Sequence, residues 1–161
     1  MTRFEVELPG RSRRGRPGWL LLILLALAAC EQPPGPQPGP ELDLGTDTAR
    51  LPSGASIHEV VIRSDFEGAI FEPHELVVRP GDVVRFTAGD AGNHAIAFDE
   101  AGLTPEARSF LESTYQLRGP PLITAGAVWV VSFDGAPPGD YPFVCLTYGG
   151  TGRITVQTRA R

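Results

Sequence analysis

Tyr141-Pro-Phe-Val-Cys145-Leu-Thr-Tyr148-Gly-Gly-Thr151-Gly152-Arg-Ile-Thr-Val156 sets two short apolar strands around a tight glycine-rich loop, with a single Cys at the loop's mouth. Alternation puts Tyr141, Phe143 and Cys145 on one face of the first strand. Well upstream, Asn93-His94-Ala-Ile-Ala-Phe98 places His94 on a strand face with Ile96 and Phe98. A loop thiol and a distant strand imidazole are the donor types of a mononuclear copper site built on a β-sandwich.

The surrounding segments predict that sandwich. Strands are expected at residues 57–63, 75–79, 82–87, 94–98, 127–133, 141–147 and 153–158. Pro80-Gly81, Gly89 to Asn93, Asp134-Gly135 and Pro137-Pro138-Gly139 supply the turns. Gly139-Asp140-Tyr141 has the form of a tyrosine corner, which ties a Greek-key crossover to the strand it enters. Pro142 removes a ladder donor, which predicts that its strand lies near a sheet edge or is bulged there. One segment departs from the β pattern. Thr104-Pro105-Glu106 reads as an N-cap, a first-turn proline and a first-turn acid. A short inserted helix is therefore expected there, with Phe110 and Leu111 facing the sandwich.

The first 30 residues read as a targeting segment. Arg11, Arg13, Arg14 and Arg16 precede an apolar run of 11 residues, Trp19 to Ala29, too short for a comfortable membrane span. Leu27-Ala28-Ala29-Cys30 resembles a bacterial lipobox, which implies cleavage before Cys30 and lipid on its sulfur. Ser12-Arg13-Arg14 leaves Sec or twin-arginine export open. Residues 31–56, opening EQPPGPQPGP, read as a Pro/Gly-rich tether to a domain at 57–158. The protein is thus expected in the cell envelope, facing the periplasm or exterior, held to the membrane by the lipid on Cys30 only.

Beyond residue 30 the chain carries 17 acidic residues, 9 Arg and no Lys, a net charge of −8. That argues against a nucleic-acid partner. With Cys30 lipidated, Cys145 is the one remaining thiol, so no internal disulfide can form. A lone exported thiol is an oxidation liability unless buried or bound to metal. No nucleophile–base pair, phosphate loop or spaced carboxylate pair points to an enzyme.

Phe71-x-Pro73, Leu76-x-Val78-x-x-Gly81-Asp82-x-Val84-x-Phe86, His94, Pro138-Gly139-x-Tyr141-x-Phe143-x-Cys145 and Gly152-x-Ile154-x-Val156 together resemble the plastocyanin/azurin family, the cupredoxins. The resemblance covers roughly residues 57–158 and implies an all-β, Greek-key cupredoxin-like β-sandwich. It also implies one copper ion, one-electron transfer, a redox partner protein and a monomer. The family's copper is held by a Cys thiolate, two imidazoles and a weak axial thioether. Carried onto this chain, His94 and Cys145 stand, Tyr148 takes the place of the second His, and Thr151 takes the place of the Met in the short amicyanin-type loop. In the family an Asn usually follows the strand His; here Asn93 precedes it and Ala95 follows.

The substitutions leave several readings open. Tyr148 is either a metal-bound phenol or an aromatic plug over a vacated position. His74, just after the Phe71-x-Pro73 turn, is either an exposed loop His or the missing imidazole. His58 is expected to face solvent, and Trp129 to be core. Two function classes follow: a cupredoxin with an altered site that transfers electrons or holds Cu(I), or a copper-free cupredoxin fold acting as a binding or scaffold module.

Overall fold

The computed structural model describes residues 37–43 and 48–158. The targeting segment with Cys30, and residues 31–36 and 44–47 of the Pro/Gly-rich tether, lie outside the described residues. Eight of the strands form two facing sheets of four. β3 (Ile57–Ser64), β4 (Ala69–Glu72), β6 (Val83–Ala88) and β8 (Val128–Ser132) make the first, in the order β4-β3-β6-β8. β5 (Glu75–Val78), β7 (Ile96–Phe98), β9 (Gly139–Cys145) and β10 (Thr151–Val156) make the second, in the order β5-β10-β9-β7. Each sheet holds one parallel pair, β3 with β6 and β5 with β10, so the chain crosses between layers as a Greek key requires. The all-β expectation holds.

Alternation builds the core. Val60 and Ile62, Val84 and Phe86, Trp129 and Val131, Tyr141, Phe143 and Cys145, and Ile154 and Val156 all point inward and are buried. Phe143 sits at the centre, edge-on to Phe71 at 4.8 Å and to Phe86 at 5.1 Å, while Phe86 stacks on Trp129 at 5.3 Å. Such offset and edge contacts add about 0.5–1.5 kcal/mol each to the burial itself.

The helix forms where its local signals place it. α1 runs Pro105–Ser113, and the Thr104 side chain accepts a hydrogen bond from the Ala107 N–H. Leu111 is fully buried, and the Phe110 ring meets Tyr141 edge-on at 6.4 Å. Tyr141 closes the predicted corner by donating its hydroxyl to the Pro137 carbonyl at 2.8 Å. Burial pushes its pKa up to about 12, so it remains a neutral donor across the working range.

Four features depart from the sequence-based expectation. β9 is an interior strand, not an edge. Pro142 is tolerated because its backbone faces the point where β7 has ended. Its carbonyl accepts from the Asp99 N–H at 2.8 Å, and the 3-10 turn Glu100–Gly102 begins there, so no ladder acceptor is left waiting. β4 was not foreseen; its four residues pair antiparallel with β3. The segment read as tether carries a small antiparallel ribbon, β1 (Glu41–Asp43) with β2 (Thr48–Arg50), in which Leu42 is buried. His58 does not simply face solvent. It is half-buried, with Nε2 3.0 Å from Asp82 Oδ2.

Asp82, 4% exposed, also accepts from the Ser56 and Arg79 N–H groups at 2.9 Å each. Burial pushes its pKa up, but the Arg79 and Ser56 N–H groups and then His58 outweigh burial and hold it below the usual range.

Two consequences can be measured. Tyr141→Phe leaves the Pro137 carbonyl without its partner and is expected to cost about 1–3 kcal/mol in urea denaturation, with the fold retained. Asp82 has a native pKa below its unfolded value, so its contribution is full above about pH 4 and is lost as pH falls through the native value. The stability gap between wild type and Asp82→Asn should therefore be widest near pH 7 and shrink below about pH 4. A gap that grew on acidification would contradict the assignment.

Candidate metal centre

His94 and Cys145 lie at the same end of the interior. Ile96 pairs with Cys145 across β7 and β9, and the Leu146 N–H donates to the Ala95 carbonyl at 2.7 Å. Residues directly opposite in an antiparallel pair share a face, as do residues two apart along a strand. His94 and Cys145 therefore lie on the same inward face, and both are 0% exposed. His94 itself lies just before β7 and is anchored by a two-way bridge: its N–H donates to the Leu122 carbonyl at 3.0 Å, and the Leu122 N–H donates back at 2.9 Å.

The imidazole is bound on one side only. Nε2 lies 2.6 Å from Asp90 Oδ1. Nδ1 is buried and has no hydrogen-bond partner. A buried polar atom left unpaired costs about 1–3 kcal/mol. That nitrogen and the free thiol of Cys145 are both buried. Nitrogen and sulfur donors held this way suit copper, and Cu(I) accepts two-coordinate ligation of this kind. No group of three or more His, Cys, Asp and Glu side chains able to hold an ion occurs among the described residues.

Asp90 was not singled out from the sequence. Its Oδ2 accepts from the Ser64 N–H at 2.7 Å and hydroxyl at 3.2 Å, and its Oδ1 also accepts from the Gly92 N–H at 2.7 Å. The Ser64 N–H and then the His94 ring hold its carboxyl far below the usual carboxylate range, against the opposing effect of burial. The available signal was a carboxylate four residues before the His, inside a turn rich in glycine.

Tyr148 closes this end. Its ring meets His94 edge-on at 5.5 Å, and its hydroxyl accepts from the Asn93 N–H at 3.3 Å. It is 38% exposed, so one edge faces the ring and another faces water. The loop beneath it is tight: the Cys145 N–H donates to the Gly150 carbonyl at 3.1 Å. Gly150 has φ of +76°, and a Cβ there would fall 2.0 Å from the Ala69 carbonyl oxygen, so only Gly fits.

Thr151 and His74 lie elsewhere. Gly152, Ile154 and Val156 are the inward positions of β10, so Thr151 is on the outer face, opposite Val144 and exposed. His74 lines a shallow outer depression with Thr151, Asp99, Asp140 and Arg153. The structure thus sets the Tyr148 ring against His94 and places His94 and Cys145 on one inward face, while Thr151 and His74 lie elsewhere.

Comparison with known proteins shows the family. The family of copper binding proteins described as the plastocyanin/azurin family matches residues 58–157, and the chain belongs to that family. Plastocyanin from Nostoc punctiforme is 29% identical over 109 residues, covering 65% of this chain and 77% of that protein. Plastocyanin from a Synechococcus species is 28% identical over 104 residues, covering 64% and 73%. Among solved structures, a copper-containing nitrite reductase from Thermus scotoductus superposes with a TM-score of 0.50 at 19% identity, over 75% of this chain and 26% of that one, a likeness of fold alone. Membership of this family suggests copper binding and electron transfer.

The cover formed by Tyr148 predicts a difference between two variants. Tyr148→Ala should lose about 0.5–1.5 kcal/mol of ring contact and speed the reaction of Cys145 with Ellman's reagent. Tyr148→Phe, which keeps the ring, should react as slowly as wild type. Equal rates in all three proteins would show that Tyr148 covers nothing.

Proposed function

We propose that this chain is a lipid-anchored cell-envelope cupredoxin that holds one copper ion through His94 and Cys145, and that it carries or stores an electron there rather than catalysing a reaction. The observation that supports this reading is the unpartnered, fully buried Nδ1 of His94 on the interior face that carries Cys145. Copper, when bound, supplies a one-electron couple. The protein supplies a donor pair fixed in a core too closely packed to rearrange, which keeps the geometry constant between oxidation states.

Tyr148 acts in this reading as a cover and not as a ligand. Its hydroxyl is engaged by Asn93, and its ring shields His94 from water. With Thr151 on the outer face, the donor set is poorer than a full trigonal one with an axial thioether. A poor, soft set favours Cu(I) over Cu(II). The lipid on Cys30 and the Pro/Gly-rich tether hold the domain off the membrane, where it meets a redox partner protein as a monomer.

The test is a copper titration of residues 41–161 under reducing, air-free conditions, followed by oxidation and a visible spectrum, with Cys145→Ser alongside. One equivalent of Cu(I) should bind wild type and be lost or much weakened in the variant. A stable thiolate-to-copper band on oxidation would favour electron transfer; its absence, with tight Cu(I) uptake, would favour copper holding. Uptake that does not depend on Cys145 in either oxidation state would sink the proposal and leave a copper-free binding module.

A further inference from the structure

We infer that Asp90 is a positioning residue for the copper site: its carboxylate fixes the tautomer and orientation of His94, and Gly92 is the residue that makes room for it. The inference rests on His94 being a ligand, but its first observable does not need metal.

Donor and acceptor counting fixes where the ring hydrogen sits. An ionised carboxylate only accepts hydrogen bonds. The 2.6 Å contact between Asp90 Oδ1 and His94 Nε2 therefore requires the hydrogen on Nε2. A neutral imidazole has one hydrogen, so Nδ1 is left as a bare lone pair. That nitrogen is the buried one without a partner. Asp90 thus does two things at once: it satisfies one side of the ring and keeps the other side ready to bind a cation. A carboxylate on the far nitrogen also makes the ligating nitrogen more basic.

Asp90 is itself held firmly. Oδ2 takes both the N–H and the hydroxyl of Ser64, at the end of β3 in the opposite sheet. Oδ1 takes the Gly92 N–H as well as the His94 ring. The carboxylate therefore clips the end of one sheet to the imidazole carried beside the other. An amide at this position cannot replace it, because every group pointing at the two oxygens is a donor and one of them would meet an NH2.

Gly92 gives independent support. A Cβ at residue 92 would lie 2.8 Å from Asp90 Oδ1, 2.8 Å from His94 Nε2 and 3.0 Å from His94 Cε1. These are the three nearest heavy atoms to that position. The smallest possible side chain would wedge into the carboxylate–imidazole contact, so the chain keeps a Gly where the pair needs clearance.

The experiment is imidazole nitrogen NMR on metal-free protein, comparing wild type, Asp90→Ala, Asp90→Asn and Gly92→Ala, each checked for fold by circular dichroism, followed by Cu(I) competition titrations on the same samples. In wild type, His94 should show its hydrogen on Nε2, slow to exchange. All three variants should lose that single tautomer, and Cu(I) affinity should fall about 10–100-fold. Gly92→Ala guards against the case in which Asp90→Ala fails to fold, since it disturbs the pair while leaving the carboxylate and its Ser64 bonds in place. An unchanged tautomer in the folded variants would overturn the inference, as would affinity that depends on His94 yet is indifferent to Asp90 and Gly92. Absence of copper binding in wild type, with the tautomer effect intact, would instead fault the copper assignment and leave Asp90 as the residue that orients His94.

Discussion

The inward column of β9 is the constraint on which the rest of this domain depends. Tyr141, Phe143 and Cys145 lie on one face at successive inward positions, and each has a different task. Tyr141 ties the incoming chain down through Pro137. Phe143 fills the middle of the core between Phe71 and Phe86. Cys145 ends the column where the core gives way to the loop. A shift of one residue in the pairing of β9 would turn all three outward together. Register therefore fixes stability and site with the same set of contacts. The column also explains why a proline can sit within an interior strand: Pro142 is on the opposite face, and its missing donor points past the end of β7.

At the loop end the balance of forces changes from apolar packing to a small set of polar contacts. The His94 ring sits among Asp90, Tyr148 and the inward face of β9, with one nitrogen bound and the other bare. A fold stabilised by only some 5–15 kcal/mol does not carry an unpaired buried nitrogen without consequence. Protein interiors leave few such atoms, and the side chains of the described residues hold two, His94 Nδ1 and Arg85 Nε. The opposite end of β3 shows the contrasting case. There Asp82 meets three donors, His58 among them. Both ends hold a carboxylate against an imidazole, but only at the His94 end is the other ring nitrogen buried without a partner.

Much of this was legible in the sequence because the signals were local. The cap and first-turn proline gave α1, Gly139-Asp140-Tyr141 gave the corner, and alternation gave the inward face of β9. What escaped was set by pairing across distance. Asp82 and His58 are 24 residues apart, and Asp90 and Ser64 are 26 apart, so no window along the chain shows either contact. The interior place of β9 depends on β7 and β10 lying on either side, which Pro142 alone could not reveal. β4 is four residues long, too short for its alternation to stand out. Thr151 was aligned by counting along a loop, and counting is blind to which face of β10 a residue takes.

The central claim is that the buried His94 nitrogen and the Cys145 sulfur are the atoms that hold copper. X-ray absorption at the copper edge of the Cu(I)-loaded protein reads those atoms directly. The account predicts a first shell of low coordination number containing one sulfur and one imidazole nitrogen. A shell of nitrogen and oxygen scatterers without sulfur would contradict it.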